Sequence, residues 1–237
     1  RAIRLLQVVG LSKYVFPELD KLIRLEQNKY HKDDAMQHTL EVLKNTPKDL
    51  KTRLMALFHD IGKHATKEVI ENEIHFYKHE DVGAEMTEEI LKRLKYPNEV
   101  VKAVTVAVKN HMKLKHGGPD SFGASDKTLR KFMVKMGDHL EDTLNLMHAD
   151  NISHAAGSSM PNQIEAIRKR LDTLKIPVKN LKLPIDGKDI QKKLKLRPGR
   201  IIGDLLAIVK DEYLGDPKIT AKELWPKLEK HLVDHPQ

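Results

Sequence analysis

The residues best suited to chemistry are an adjacent histidine and aspartate near the end of an apolar segment. His59 and Asp60 follow Leu57-Phe58 and precede Gly62, a residue type that commonly closes a helix. Adjacent residues of a helix point about 100° apart. Both side chains therefore reach one metal ion only if it lies beyond the helix end or in a groove between helices, and a helical bundle offers such grooves.

Two further candidate ligands fall on the apolar faces of other predicted helices. His38 comes three residues after Ala35 and four before Val42, which places it on an inward face. Asp150 comes three residues after Met147, near the end of another apolar helix. Together with the adjacent pair, they make a nitrogen and oxygen set suited to Mn, Fe, Ni, Zn or Mg.

Two more histidines extend apolar stripes and enlarge this set. His79 lies four residues before Gly83 on one stripe, and His111 extends the stripe of Val104 and Val108. A single inward histidine is usually explained by core packing, but several beside a His-Asp pair favour ligation. We therefore expect one or two divalent metal ions, bridged by Asp60 if there are two. The six predicted ligands are His38, His59, Asp60, His79, His111 and Asp150.

The composition restricts the kind of protein and of metal site. The chain has 237 residues, 40% of them hydrophobic, which is enough for a real core. It contains no cysteine, which excludes disulfides and thiolate ligands. No apolar stretch approaches the roughly 20 residues of a membrane span, and the chain start lacks a signal-peptide core. We expect a cytoplasmic protein without a membrane partner.

The elements that must position these residues are helices. Apolar residues recur at helical spacing, and no alternating run is long enough to predict a strand. One stripe runs through Leu50, Leu54, Leu57, Phe58 and Ile61. We predict an all-α fold, a helical bundle with a small C-terminal helical extension. The predicted divisions are a lead-in over 1–30, a metal-binding domain over 31–160 and a basic tail over 161–237.

The tail carries most of the positive charge. The net charge is +8 for the whole chain, +2 for residues 1–160 and +6 for residues 161–237. Such a surplus favours polyanion partners, although it is also found on surfaces that are simply solvated. Trp225 is expected to be a packing anchor rather than a base-stacking platform. The predicted RNA- or phosphate-binding residues are Lys192, Lys193, Arg197 and Arg200.

Several motifs follow one another in an order that resembles a known family. They are His38, Phe58-His59-Asp60-Ile61-Gly62-Lys63, Phe76-Tyr77-Lys78-His79-Glu80, Asn110-His111-Met112 and Asp150. This order resembles the HD superfamily of metal-dependent phosphohydrolases, and most closely the HD domain of bacterial CCA-adding enzymes and related poly(A) polymerases. Phe16 to Asp20 and the tail from Gly187 to Leu206 are also similar, so the resemblance covers Val15 to Tyr213.

The resemblance implies which residues do the chemistry. Asp60 would bind the ions, and an ion would activate a water that attacks phosphorus. Lys63 would contact a phosphate oxygen; the alternative is a solvated lysine at a helix end. His31 resembles a position that either supports the metal ligands or lies on the substrate side. The remaining histidines lack comparable context, and most are expected at the surface: His64, His75, His116, His139, His148, His154, His231 and His235.

Two functions follow from the resemblance. The first is a metal-dependent phosphohydrolase or phosphodiesterase acting on nucleotides or RNA ends, such as 2′,3′-cyclic phosphates. The alternative is a non-catalytic portion of a tRNA nucleotidyltransferase-like enzyme that binds and positions tRNA. The family's nucleotidyltransferase head has no counterpart in this sequence, so the chain is expected to be a fragment or a headless protein that adds no nucleotides alone. Six ligands favour the first function, and the basic tail favours the second.

Overall fold

A computed structural model describes residues 1–28, 33–114, 124–155, 157–174 and 181–235. Helices dominate these ranges, which confirms the all-α prediction. The α-helices are α1 (Ala2–Val8), α2 (Ser12–Val15), α3 (Pro17–Asp20), α4 (Ala35–Asn45), α5 (Leu50–Phe58), α6 (His79–Arg93), α7 (Asn98–Asn110), α8 (Asp126–Met136), α9 (Leu140–Ile152), α10 (Gln163–Leu174), α11 (Gly187–Leu194), α12 (Arg200–Gly215) and α13 (Ala221–Asp234). Short 3₁₀ turns cover Ile61–His64 and Gly137–His139.

A small β-hairpin, which the sequence did not predict, joins the first 3₁₀ turn to α6. Strands β1 (Glu68–Ile70) and β2 (Glu73–His75) pair antiparallel, with Val69 opposite Ile74. Glu71 and Asn72 between them have φ of 50° and 63°, as a two-residue type I′ turn requires. Three residues a strand are too few for a pattern of alternating hydrophobicity to be recognised.

The chain forms two compact units whose limits differ from the predicted divisions. The first contains Arg1–Gly123 and Asp138–Arg170, and the second contains Ala124–Gly137 and Leu171–Gln237. Helix α8 therefore belongs with the tail helices, although it precedes α9 in the chain. The lead-in helices α1 to α3 belong to the first unit.

The core of the first unit is built around α5, which packs against α4, α7 and α9. Asp34 and Asp49 start α4 and α5 by accepting hydrogen bonds from the backbone N–H groups of Gln37 and Thr52. Helices α6 and α7 pack along each other. The fully buried side chains of this core include Phe58, Met55, Ile61, Ile90, Leu91, Val104 and Leu146.

The second unit has its own apolar core, formed by α11, α12 and α13, with α8 packed on α12. Ile190, Val209 and Leu224 are fully buried within it. Trp225 packs partly buried against the same core, and the Lys193 ammonium lies 4.4 Å from the centre of its ring. The expectation that Trp225 is a packing anchor is confirmed.

Candidate metal centre

The adjacent His59 and Asp60 lie where a helix changes into a tighter turn. Helix α5 ends at Phe58, and His59 keeps helical backbone angles. Asp60 departs from them (φ −105°, ψ 8°) and begins the 3₁₀ turn. Their side chains consequently lie off the end of α5, where they are 0% and 2% exposed.

The structure brings all six predicted ligands together in the first unit, and all six are buried. Their ligand atoms form two groups, and within each group the atoms lie within 4.8 Å of one another. The groups are His38, His59 and Asp150, and Asp60, His79 and His111. We call these six residues the His-Asp cluster. Five segments contribute to it, namely α4, the end of α5, the start of α6, the end of α7 and α9.

The carboxylate of Asp60 faces both groups. Its Oδ2 atom lies 3.1 Å from Nε2 of His59 in the first group. Its Oδ1 atom lies 3.4 Å from Nε2 of His79 and 3.9 Å from Nε2 of His111 in the second. A carboxylate with one oxygen toward each group has the geometry needed to bridge two ions.

Three of the histidines are oriented by hydrogen bonds to their own helical turn. The Nδ1 atoms of His59, His79 and His111 lie 2.8, 2.8 and 2.7 Å from the backbone carbonyl oxygens three residues earlier. A carbonyl oxygen only accepts, so each Nδ1 carries the proton. In a neutral ring, Nε2 then keeps its lone pair and points into the cluster, as a metal ligand requires.

The charges inside the cluster favour a bound cation. Burial by itself raises the pKa of the Asp60 carboxyl, but His59 and Lys63 outweigh it and hold that pKa well below its ordinary value. Burial also lowers the pKa of His59, whereas the carboxylates of Asp60 and Asp150 raise it above its ordinary value. A proton on His59 therefore neutralises part of the negative charge that a metal ion would also neutralise. Binding of an ion would displace this proton.

A buried ring nitrogen and the types of the ligand atoms also fit a bound divalent ion. The Nε2 atom of His59 is buried, and its 3.1 Å approach to Oδ2 of Asp60 does not have the geometry of a hydrogen bond. A buried polar atom without a partner costs free energy, and an ion between His38, His59 and Asp150 would satisfy it. Imidazole and carboxylate ligands without thiolate suit Mn, Fe, Ni, Zn or Mg.

Lys63 is part of this centre rather than a solvated lysine at a helix end, so that alternative is wrong. The residue is only 5% exposed. Its Nζ atom lies 2.7 Å from Oδ2 of Asp60 and donates a hydrogen bond of 2.6 Å to Oε1 of Gln27. The ring of Phe76 lies 5.4 Å from the same ammonium.

Sequence reasoning missed two residues of the centre. His154 was expected at the surface, but its side chain is only 13% exposed and its Nδ1 lies 3.7 Å from Oδ1 of Asp150. Its ring centre is 5.3 Å from that of His38. It lies four residues after Asp150, just beyond the end of α9, and this spacing could have revealed it. Gln27, the partner of Lys63, carried no such signal, and His31 lies outside the described residues.

A close backbone contact fixes the position of His79. A Cβ atom built on Gly62 would lie 2.2 Å from the backbone carbonyl oxygen of His79 and 2.7 Å from the backbone nitrogen of Gly83. Only glycine at position 62 lets the 3₁₀ turn and α6 approach this closely. Gly62 thereby holds the start of α6, which carries His79, beside the turn that carries Asp60.

The predicted phosphate-binding residues of the tail are all exposed. Lys192 and Lys193 lie in the last turn of α11, and Arg200 begins α12. Arg197 lies between the two helices. Exposure agrees with either a phosphate-binding or a simply solvated surface. These residues belong to the second unit and the His-Asp cluster to the first.

Among the described residues, no helix has the length and apolar character needed to cross a bilayer.

The family model described as HD domain matches residues 26–153, which include the whole His-Asp cluster. The CC-adding tRNA nucleotidyltransferase of Thermus thermophilus is 32% identical over 212 residues, 86% of this chain and 46% of that protein. The A-adding tRNA nucleotidyltransferase of Deinococcus radiodurans is 31% identical over 228 residues, 91% and 51% of the two chains. The chain spans about half the length of these relatives.

Proposed function

The chain belongs to the HD domain family, and from this premise we propose that it is a metal-dependent phosphohydrolase acting on nucleotides or RNA ends. The observation that carries the proposal is the His-Asp cluster, in which Asp60 faces two groups of ligands. A purely structural ion would not need all six residues of the two groups, since four ligands complete a structural zinc site. Six buried ligands, with Asp60 facing both groups, are better suited to one or two ions that also bind substrate.

Some residues of the centre would bind the ion and the phosphate, and others would orient the ligands. When bound, a divalent ion supplies a water of lowered pKa and polarises a phosphoryl oxygen. Asp60 would hold one or both ions, and the Nδ1 hydrogen bonds would keep the histidine rings in place. Lys63, positioned by Gln27, adds a positive charge where a phosphate oxygen would bind. The burial of the cluster limits competition from bulk water.

The first test is turnover. Metal-stripped chain would be assayed with bis-p-nitrophenyl phosphate and 2′,3′-cyclic AMP after addition of Mg, Mn, Ni or Zn. We expect metal-dependent hydrolysis that Asp60→Asn abolishes and that Asp204→Asn, the same change at an exposed position of α12, leaves intact. Absence of turnover with every metal, in a folded protein, would rule out an autonomous phosphohydrolase.

A second function is favoured by the relatives and by the tail. Two relatives are tRNA nucleotidyltransferases by name, and basic residues are exposed on α11 and at the start of α12. On this proposal the chain binds and positions tRNA, and the His-Asp cluster serves the structure. Because phosphate contacts dominate such binding, the affinity should fall with salt.

Binding of tRNA tests this second function independently of turnover. Replacing Lys192 and Lys193 by glutamate should weaken binding at least tenfold at low salt, because two phosphate contacts are lost and two repulsive charges are added. The control replaces Lys222 and Lys230, both exposed on α13, and changes the net charge equally. If the affinity for tRNA falls by the same factor in both double variants, Lys192 and Lys193 do not form a specific binding surface.

A further inference from the structure

A pair of stacked rings occurs in the chain just before the ligand His79. The rings of His75 and Tyr77 are parallel within 7°, and their centres are 5.1 Å apart. Alternate residues of an extended chain lie on the same side, which explains why the two rings meet. Tyr77 is 58% exposed. We call this pair the His75–Tyr77 stack.

The stack is tied directly to the metal centre through Phe76. The backbone carbonyl of Phe76 accepts the Nδ1–H hydrogen bond of His79, at 2.8 Å. The ring of the same residue lies 5.4 Å from the Lys63 ammonium. Tyr77 is two residues from His79, so their Cα atoms are at most about 7.6 Å apart. Lys78 between them has φ of 59° and turns the chain from the hairpin into α6.

The stack precedes the cluster ligand whose side chain is the most exposed. Among the six ligands, the side chain of His79 is the most exposed, at 8%, while those of His59 and His111 are 0% and 1% exposed. Lys63 retains 6%. A phosphate that enters next to His79 and Lys63 would pass the segment that carries the stack.

We propose that the His75–Tyr77 stack binds the nucleobase of a nucleotide or RNA 3′ end whose phosphate lies at the His-Asp cluster. This inference rests on the proposed phosphohydrolase function and assigns that function a binding site for the base of its substrate. An exposed ring already held parallel to a second ring loses little conformational freedom when a base stacks on it. Stacking tolerates any base because every base has a π face. The site therefore selects nucleotides over simple phosphoesters without choosing among the four bases.

The test measures stacking of a base on the protein rather than turnover of a substrate. The probe is the 3′-deoxy-3′-phosphonomethyl analogue of 2-aminopurine riboside, in which a P–C bond replaces the ester linkage and resists hydrolysis, and whose base fluorescence is quenched by stacking. In the presence of Mg²⁺ we expect saturable quenching by the full chain. Tyr77→Phe keeps the ring and should retain the quenching, whereas Tyr77→Ala should raise the Kd about 5- to 150-fold.

A matched control is available at another exposed tyrosine. Tyr14 in α2 is 74% exposed, and Tyr14→Ala should bind the probe as the unaltered chain does. Hydrolysis gives a second readout, since Tyr77→Ala should raise the KM for 2′,3′-cyclic AMP but not for methyl riboside 2′,3′-cyclic phosphate, which has no base.

The outcomes separate this inference from the proposed function. Absence of quenching, or an unchanged Kd in Tyr77→Ala, overturns the base site even if phosphoesters are hydrolysed. Quenching lost in Tyr77→Ala, in a chain that hydrolyses nothing, would retain the nucleobase site and remove the phosphohydrolase.

Discussion

Replacing Gly62 by alanine would disturb the cluster through the backbone alone. The new Cβ would lie 2.2 Å from the carbonyl oxygen of His79, whereas real Cβ atoms keep at least 3.0 Å from other atoms. The 3₁₀ turn and α6 must therefore separate by about 1 Å, and both obstructing atoms belong to rigid backbone. Overpacking of this kind costs about 1–3 kcal/mol, and we expect the upper end of that range.

The same separation moves His79 away from Asp60. Loss of the support that orients a metal ligand typically costs about 10- to 100-fold in metal affinity, so binding of Mn²⁺ should weaken by about one to two orders of magnitude. Urea unfolding measures the first effect, and competition with a fluorescent chelator measures the second. Gly203→Ala is the control, since no atom of the described residues lies within 4 Å of a Cβ at that position of α12. This variant should be more stable by about 0.5–1 kcal/mol. Unchanged stability and Mn²⁺ affinity in Gly62→Ala would refute the reasoning.

Two other contacts predict changes in stability. Asp34→Ala removes the N-cap of α4, the helix that carries His38. Urea titrations should show a free energy of unfolding that is lower by about 1 kcal/mol. An unchanged free energy of unfolding would contradict the capping role. Arg93→Met removes an ion pair with Glu18. Burial opposes the shift, but the hydrogen bond from Arg93 lowers the pKa of Glu18. This stabilisation, under about 1 kcal/mol, is present above the ordinary carboxyl pKa and disappears as the pH falls through the lowered value. The difference between the two proteins should therefore shrink in acid to what the hydrogen bond from Arg93 to the carbonyl oxygen of Val15 contributes, and a pH-independent difference would contradict the assignment.

Local sequence spacing accounts for the residues that the structure brings together. His38, His79 and His111 each lie on an apolar stripe, and each is buried beside Asp60. Helical periodicity defines which face of a helix points inward, so it can identify ligands on several helices. It cannot measure the distance between those ligands, which depends on how the helices pack.

Other features depend on contacts between residues distant in the chain. The bond between Gln27 and Lys63 joins residues 36 positions apart, and no local pattern marks it. Helix α8 joins the second unit although α9 follows it in the first, an arrangement that chain order does not indicate. Leu50, predicted on the buried stripe of α5, is 58% exposed, because the first residue of a helix can lie beyond the neighbours that cover the rest.

The most direct test of the account is whether the His-Asp cluster binds metal. Metal-stripped chain would be incubated with excess Mn²⁺, passed through a gel-filtration column, and measured by metal analysis and electron paramagnetic resonance. We predict one or two ions retained per chain, with a spin-coupled signal if Asp60 bridges two, and their loss in Asp60→Asn but not in Asp204→Asn. A folded chain that retains no ion, or equal retention in Asp60→Asn, would contradict the central claim.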